Sequence, residues 1–183
     1  LLAATAVIIG WYSKANSQEP AFDGDVQVGL KFGSISSSST PAANFNTELG
    51  GFNPYARISA NVYNGLGLWG GLDSVSKKMR VAGVDMGSLS EVGFSFGPQF
   101  SFKFSESTRG KVYGGWRYVS DGDPYGPRGV FTEKQKGADT ILGGDIAWDI
   151  SKAWNGDMLP KNTYFGFGLE QTRGKRDVYT GPA

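Results

Sequence analysis

From residue 91 the chain reads E-V-G-F-S-F-G-P-Q-F-S-F-K-F. Every second position from Val92 to Phe104 is apolar, and five of the seven are Phe. A period of two marks an extended strand with one apolar and one polar face. The same alternation recurs at 25–33, with Val26, Val28, Leu30 and Phe32 on one side. In 55–62, Ala56, Ile58, Ala60 and Val62 oppose Arg57, Ser59 and Asn61. The run 66–73 follows after an Asn64-Gly65 tight-turn signal. In 111–120, Val112, Trp116 and Tyr118 oppose Lys111, Tyr113 and Arg117. In 139–150, Leu142, Ile146, Trp148 and Ile150 oppose Asp139, Asp145 and Asp149. In 163–171, Phe165, Phe167 and Leu169 oppose Tyr164 and Glu170. Seven strands are visible and no segment carries a helical period. Pro98 cannot donate a ladder bond, so a bulge is expected there, or a turn at Gly97-Pro98-Gln99 that splits the strand.

The connections alternate in length. Ser/Gly/Pro-rich stretches at 34–54, 74–90 and 121–137 read as long loops, against short turns at 63–65 and near 105–110 and an intermediate link at 151–162. Long loops at one end and short turns at the other are the pattern of an outer-membrane barrel. They are unusual in a compact soluble domain. Composition points the same way. The 183 residues include 28 Gly, 12 Phe, 8 Tyr and 5 Trp, but only 39% are hydrophobic. Aromatics outnumber the Leu and Ile that would normally fill a core, and Gly, which adds no side chain to one, is about twice its usual ~7%. Turned outward onto lipid, the apolar faces need no core. Their length suits a membrane strand of ~9–11 residues, and strands in hydrocarbon must close on themselves. The expected fold is all-β, a closed antiparallel up-and-down transmembrane β-barrel of eight strands.

The eighth strand has two candidates: the N-terminal run 2–11, or a segment following Ala183. The run L-L-A-A-T-A-V-I-I-G-W-Y is too short to span a bilayer as a helix. It reads as the apolar part of a secretory signal, with Ala15-Asn16-Ser17 before a cut at Gln18. This reading makes 1–17 a signal-peptide remnant and 18–183 a single barrel domain truncated at its C-terminal side. The other reading keeps the run as a strand or helix of the mature fold.

Over about 18–173 the pattern resembles the small outer-membrane β-barrel domains of Gram-negative bacteria, the OmpA-like and opacity-protein-like group. The resemblance implies a bacterial outer-membrane location, a porin-like architecture with membrane lipid as the main partner, and a role in envelope structure. Partner or surface binding would fall to the loops at 34–54, 74–90 and 121–137.

The polar parity collects Asp25, Lys31, Arg57, Glu91, Lys103, Lys111, Arg117, Asp139, Asp145, Asp149 and Glu170, five positive against six negative. An eight-stranded barrel is just wide enough for side chains to fill, and enclosed charges of mixed sign should pair. These residues are therefore expected to plug the lumen. A narrow polar channel constricted by Tyr55, Tyr113 and Tyr164 is the alternative. The lipid-facing set is Phe94, Phe96, Phe100, Phe102, Phe104, Trp116, Trp148, Phe165 and Phe167. Trp69, Trp116, Trp148 and Trp154 fall near strand ends, as in interfacial belts, although Trp69 has the inward parity.

Other motifs carry less. Gly65-Leu66-Gly67-Leu68-Trp69-Gly70 spells a dinucleotide fingerprint, but no helix follows it. Asp121 and Asp123 read as a solvated turn in preference to a calcium loop, and Lys77-Lys78-Met79-Arg80 as a solvated loop in preference to a headgroup contact. With 18 basic and 17 acidic residues, no field points to nucleic acid. The chain has no Cys and no His, which removes the disulfide framework, thiolate metal sites and the commonest general base. Enzymes of the resembling architecture use a His, so no enzymatic activity is expected, and no cofactor or metal. The competing reading is a soluble β-barrel that binds an apolar ligand in lipocalin fashion, or a virion or assembly component, with the Phe face turned inward.

Overall fold

The computed structural model describes the backbone of residues 2–15, 23–37, 45–49, 53–81, 84–120, 124–125, 133–151, 162–174 and 177–180. Side chains are described within 24–33, 53–76, 90–119, 137–151 and 162–174. The chain is all-β, antiparallel and up-and-down, with a barrel-like sheet. The principal strands are β1 (Leu2–Ala15), β2 (Asp23–Ser37), β4 (Pro54–Tyr63), β5 (Leu66–Val81), β6 (Val84–Lys103), β7 (Thr108–Ser120), β9 (Glu133–Asp149) and β10 (Thr163–Gly174). Three short strands add to one end: β3 (Phe45–Leu49) beside β5, β8 (Pro124–Tyr125) beside β6, and β11 (Asp177–Thr180) beside β9. The β2–β4, β4–β5, β5–β6, β6–β7, β7–β9 and β9–β10 pairs are antiparallel neighbours.

The N-terminal run, assigned from sequence to a signal remnant, is a strand here. β1 pairs with β2 and with β10, and Val7, Ile9 and Trp11 stand in register with Leu169, Phe167 and Phe165. The stretches read as long loops also change. β5 and β6 stay paired as far as Val81 and Val84, so 74–90 is mostly hairpin. β2 runs on to Ser37, β3 occupies part of 34–54, and β9 begins at Glu133. In these stretches the apolar/polar alternation of the sequence fades although the backbone ladder continues.

The short turns follow local chemistry. Asn64 and Gly65 have φ of 44° and 85°, the pair of positive values that a type I′ hairpin turn needs. Between β6 and β7, the Phe104 and Ser105 N–H groups donate to the Thr108 carbonyl.

Pro98 neither splits β6 nor shifts its register. Phe96 faces Trp116 and Gln99 faces Tyr113, so the same offset holds on both sides of the proline. That offset sets Pro98 opposite Gly114, where the proline has no N–H to give. The Trp69 indole N–H fills the place, donating to the Gly114 carbonyl at 3.0 Å and the Pro98 carbonyl at 3.2 Å. Backbone and indole come this close because a Cβ on Gly97 would collide with the Gly114 backbone.

The two faces are inverted relative to a soluble domain. Among the described residues, 22 large hydrophobics are exposed, whereas the buried set holds 15 polar or charged residues and eight hydrophobic ones. Phe94, Phe96, Phe100, Phe104, Trp116, Trp148, Phe165 and Phe167 all lie exposed on the outer face. Phe102 is half-buried between the rings of Phe100 and Phe104.

Candidate functional site: a charged interior

The inward parity of seven strands converges on one ion-pair network. Arg117 of β7 is its most connected member. Its Nη2 and Nε donate to Asp73 of β5 at 2.7 and 2.9 Å, and its Nη1 donates to Glu91 of β6 at 3.0 Å and to Asp139 of β9 at 3.4 Å. Each of these side chains is 4% exposed or less. Lys31 of β2 extends the network, donating to Asp73 at 2.8 Å and to Glu170 of β10 at 2.7 Å. Arg57 of β4 reaches Glu170 from the other side at 2.9 Å, and the Tyr113 hydroxyl donates to the same carboxylate at 3.2 Å. The series Asp139–Arg117–Asp73–Lys31–Glu170–Arg57 thus crosses between strands that are not neighbours in the sheet.

Arg57 is held in an aromatic cage. Its guanidinium carbon lies 3.9 Å from the Tyr113 ring centroid, 4.5 Å from Trp69 and 5.8 Å from Tyr55. Trp69 and Tyr113 meet edge to face at 5.4 Å, and Gln27 donates to the Tyr55 hydroxyl at 2.8 Å. Such contacts hold a cation in a desolvated place by the ring quadrupoles. Glycines make the room: a Cβ on Gly143 would meet the Tyr113 ring, and one on Gly93 the Arg117 guanidinium. A second, smaller group joins Lys111 to Asp25 at 2.8 and 2.9 Å and to the Ser59 hydroxyl at 3.1 Å.

Of the eleven charges expected inside, Lys31, Arg57, Glu91, Lys111, Arg117, Asp139, Asp145 and Glu170 are buried and Asp25 is half-buried. Two fall elsewhere. Lys103 is exposed at the end of β6. Asp149 is half-buried at the end of β9, where it accepts hydrogen bonds from the Ser151 N–H and hydroxyl. Both have the inward parity but lie at the rim, where a strand's inner face meets water. Asp73 escaped the sequence reading, although it shares the parity of Trp69 four residues earlier. The three tyrosines do not form one constriction. Tyr55 and Tyr113 share a cluster with Trp69, while Tyr164 packs separately with Ala147.

The Gly65–Gly70 fingerprint lies in the hairpin turn and β5. Asp121, Asp123 and Trp154 lie outside the described residues, as do the side chains of Lys77, Lys78, Met79 and Arg80. Among the described residues there is no group of three acidic side chains disposed to hold a metal ion. The arrangement does one thing well: it fills the interior with compensated charge. No family model, curated protein or solved structure matches the chain.

Proposed function

We propose that this chain is a closed, eight-stranded β-barrel that crosses a bacterial outer membrane by its strands. Its lumen is plugged by the ion-pair network, and its role is structural and non-enzymatic, as in the OmpA-like and opacity-protein-like domains that the pattern resembles. The observation that carries the reading is the inversion of faces: charge buried, Phe and Leu exposed. Soluble monomers rarely expose apolar patches beyond a few hundred Å². A soluble barrel enclosing an apolar ligand would need the two faces exchanged.

Dimensions support the same reading. The exposed stripe from Val92 to Phe104, at about 3.3 Å per residue and a tilt of about 40°, rises about 30 Å along the barrel axis, close to the thickness of a hydrocarbon core. Closure is supported by the pairings of β1, which has β2 on one side and β10 on the other, together with the β5–β6 pair. The neighbour series then returns to its start and leaves no strand edge in lipid. The extended hairpins and links at 34–54, 74–90 and 121–137 are the places for partner or surface binding.

Refolding the chain in plain buffer and in detergent micelles tests the reading. β-Structure by circular dichroism, with a gel mobility that changes on boiling, is expected only with detergent. A monomer that folds in buffer alone would refute it.

A further inference from the structure

Toward the short-turn end the interior opens into a polar cavity of about 220 Å³, whose walls include Asp25, Lys103, Arg109, Lys111, Asp145 and Tyr164. Its charges are unevenly matched. Lys111 is engaged by Asp25 and Ser59, and Asp145 interacts electrostatically with Arg57 deeper inside. Arg109 and Lys103 are left over. The Arg109 guanidinium lies over the Tyr164 ring, 4.7 Å from its centroid. Among the described residues it has neither a carboxylate nor a side-chain acceptor as partner, and its Nε is buried without a hydrogen bond. Lys103 is exposed at the rim.

The interior is also polarised along its axis. The half toward the extended hairpins holds Asp73, Glu91, Asp139 and Glu170 against Lys31, Arg57 and Arg117. The turn half holds Asp25 and Asp145 against Arg109 and Lys111, with Lys103 and Asp149 at its rim. The hairpin half carries one excess carboxylate, whereas the turn half is balanced in number.

We propose that the turn-end cavity binds a small oxyanion of the phosphate or carboxylate class, anchored by Arg109 and met at the rim by Lys103. A guanidinium presents a planar fork suited to such oxygens, and the Tyr164 ring holds it in place from behind. With about 30 Å³ per water molecule, the cavity has room for a tetrahedral anion and part of its hydration. The site is interior whichever medium covers the outer face, so it stands or falls separately from the membrane reading.

The test titrates inorganic phosphate into the full chain, in whichever medium it folds, at constant ionic strength with chloride as the balancing anion. The readout is the ³¹P linewidth. Saturable broadening is expected, with affinity about tenfold weaker in Arg109→Gln and about threefold weaker in Lys103→Gln. Arg173→Gln, an exposed site at the far end of β10, should bind like the parent. No saturable broadening by the parent chain, or equal binding by Arg109→Gln, overturns the proposal. Should Arg109→Gln fail to fold, Lys103→Gln decides, and unchanged phosphate affinity there overturns it.

Discussion

Arg117 touches three carboxylates, and its removal is the sharpest perturbation of the interior. In Arg117→Ala, Asp73 keeps Lys31 at 2.8 Å, but Glu91 and Asp139 each lose the Arg117 contact, at 3.0 and 3.4 Å. Both side chains are 3% exposed or less, so little water compensates them. Removing one partner of a buried ion pair costs about 3–5 kcal/mol, mostly through the charge left behind. With a urea dependence of about 2 kcal/mol per molar, the unfolding midpoint should fall by about 2 M. The assay is equilibrium urea unfolding of the refolded chain, followed by tryptophan fluorescence. Lys103→Ala, at an exposed rim position, should stay within about 0.5 kcal/mol. If the cost arises from the carboxylates that lose Arg117, Arg117→Ala combined with Glu91→Ala should lose less than the two single changes summed. A midpoint for Arg117→Ala within 0.3 M of the parent would refute the reasoning, because the lumen would then hydrate its charges without needing them paired.

Three further outcomes follow from the same geometry. Trp69→Phe keeps an aromatic ring, though a smaller one, and removes the N–H that serves the Gly114 and Pro98 carbonyls, so urea unfolding should report a loss of about 1–3 kcal/mol. Phe96→Arg places a cation on the exposed apolar stripe, and in lipid vesicles it should cost about 2–4 kcal/mol if that position lies near the bilayer midplane. Gly65→Ala forces a side chain onto a backbone at φ 85° and against the Ser101 carbonyl. It should destabilise by about 1 kcal/mol or more in the same measurement.

How far the fold could be read from sequence depended on where each residue sits relative to the apolar band. Inside it, one face is apolar and the other polar, so parity alone placed Arg57, Arg117, Glu170 and the outward Phe set. At its edges the rule weakens. Lys103 and Asp149 have inward parity but meet water, and the Ser-rich stretch from Ser74 to Ser90 lost its alternation while keeping its ladder. β1 was obscured for the opposite reason. Ala6 and Ile8 are apolar like their neighbours Val7 and Ile9, so the run shows no period of two and reads as a leader. Asp73 was missed because it closes a counted segment, and its partners Lys31 and Arg117 stand 42 and 44 residues away. Pairings of that kind depend on sheet order, which periodicity does not carry. The Trp69 bond across the Pro98 gap was equally hidden, since nothing local connects an indole with a proline 29 residues on.

The central claim is that the Phe stripe faces lipid and its neighbours face a closed interior. The chain has no native Cys, so single cysteines can be introduced one at a time at 92, 94, 95, 96, 99 and 100 and spin-labelled in lipid vesicles. Collision with oxygen, which concentrates in hydrocarbon, and with a water-soluble nickel chelate would be measured at each position. The account predicts a period of two, with labels at 92, 94, 96 and 100 open to oxygen and shielded from nickel, and labels at 95 and 99 open to neither. Nickel access at the Phe positions, or a profile without that period, would contradict it.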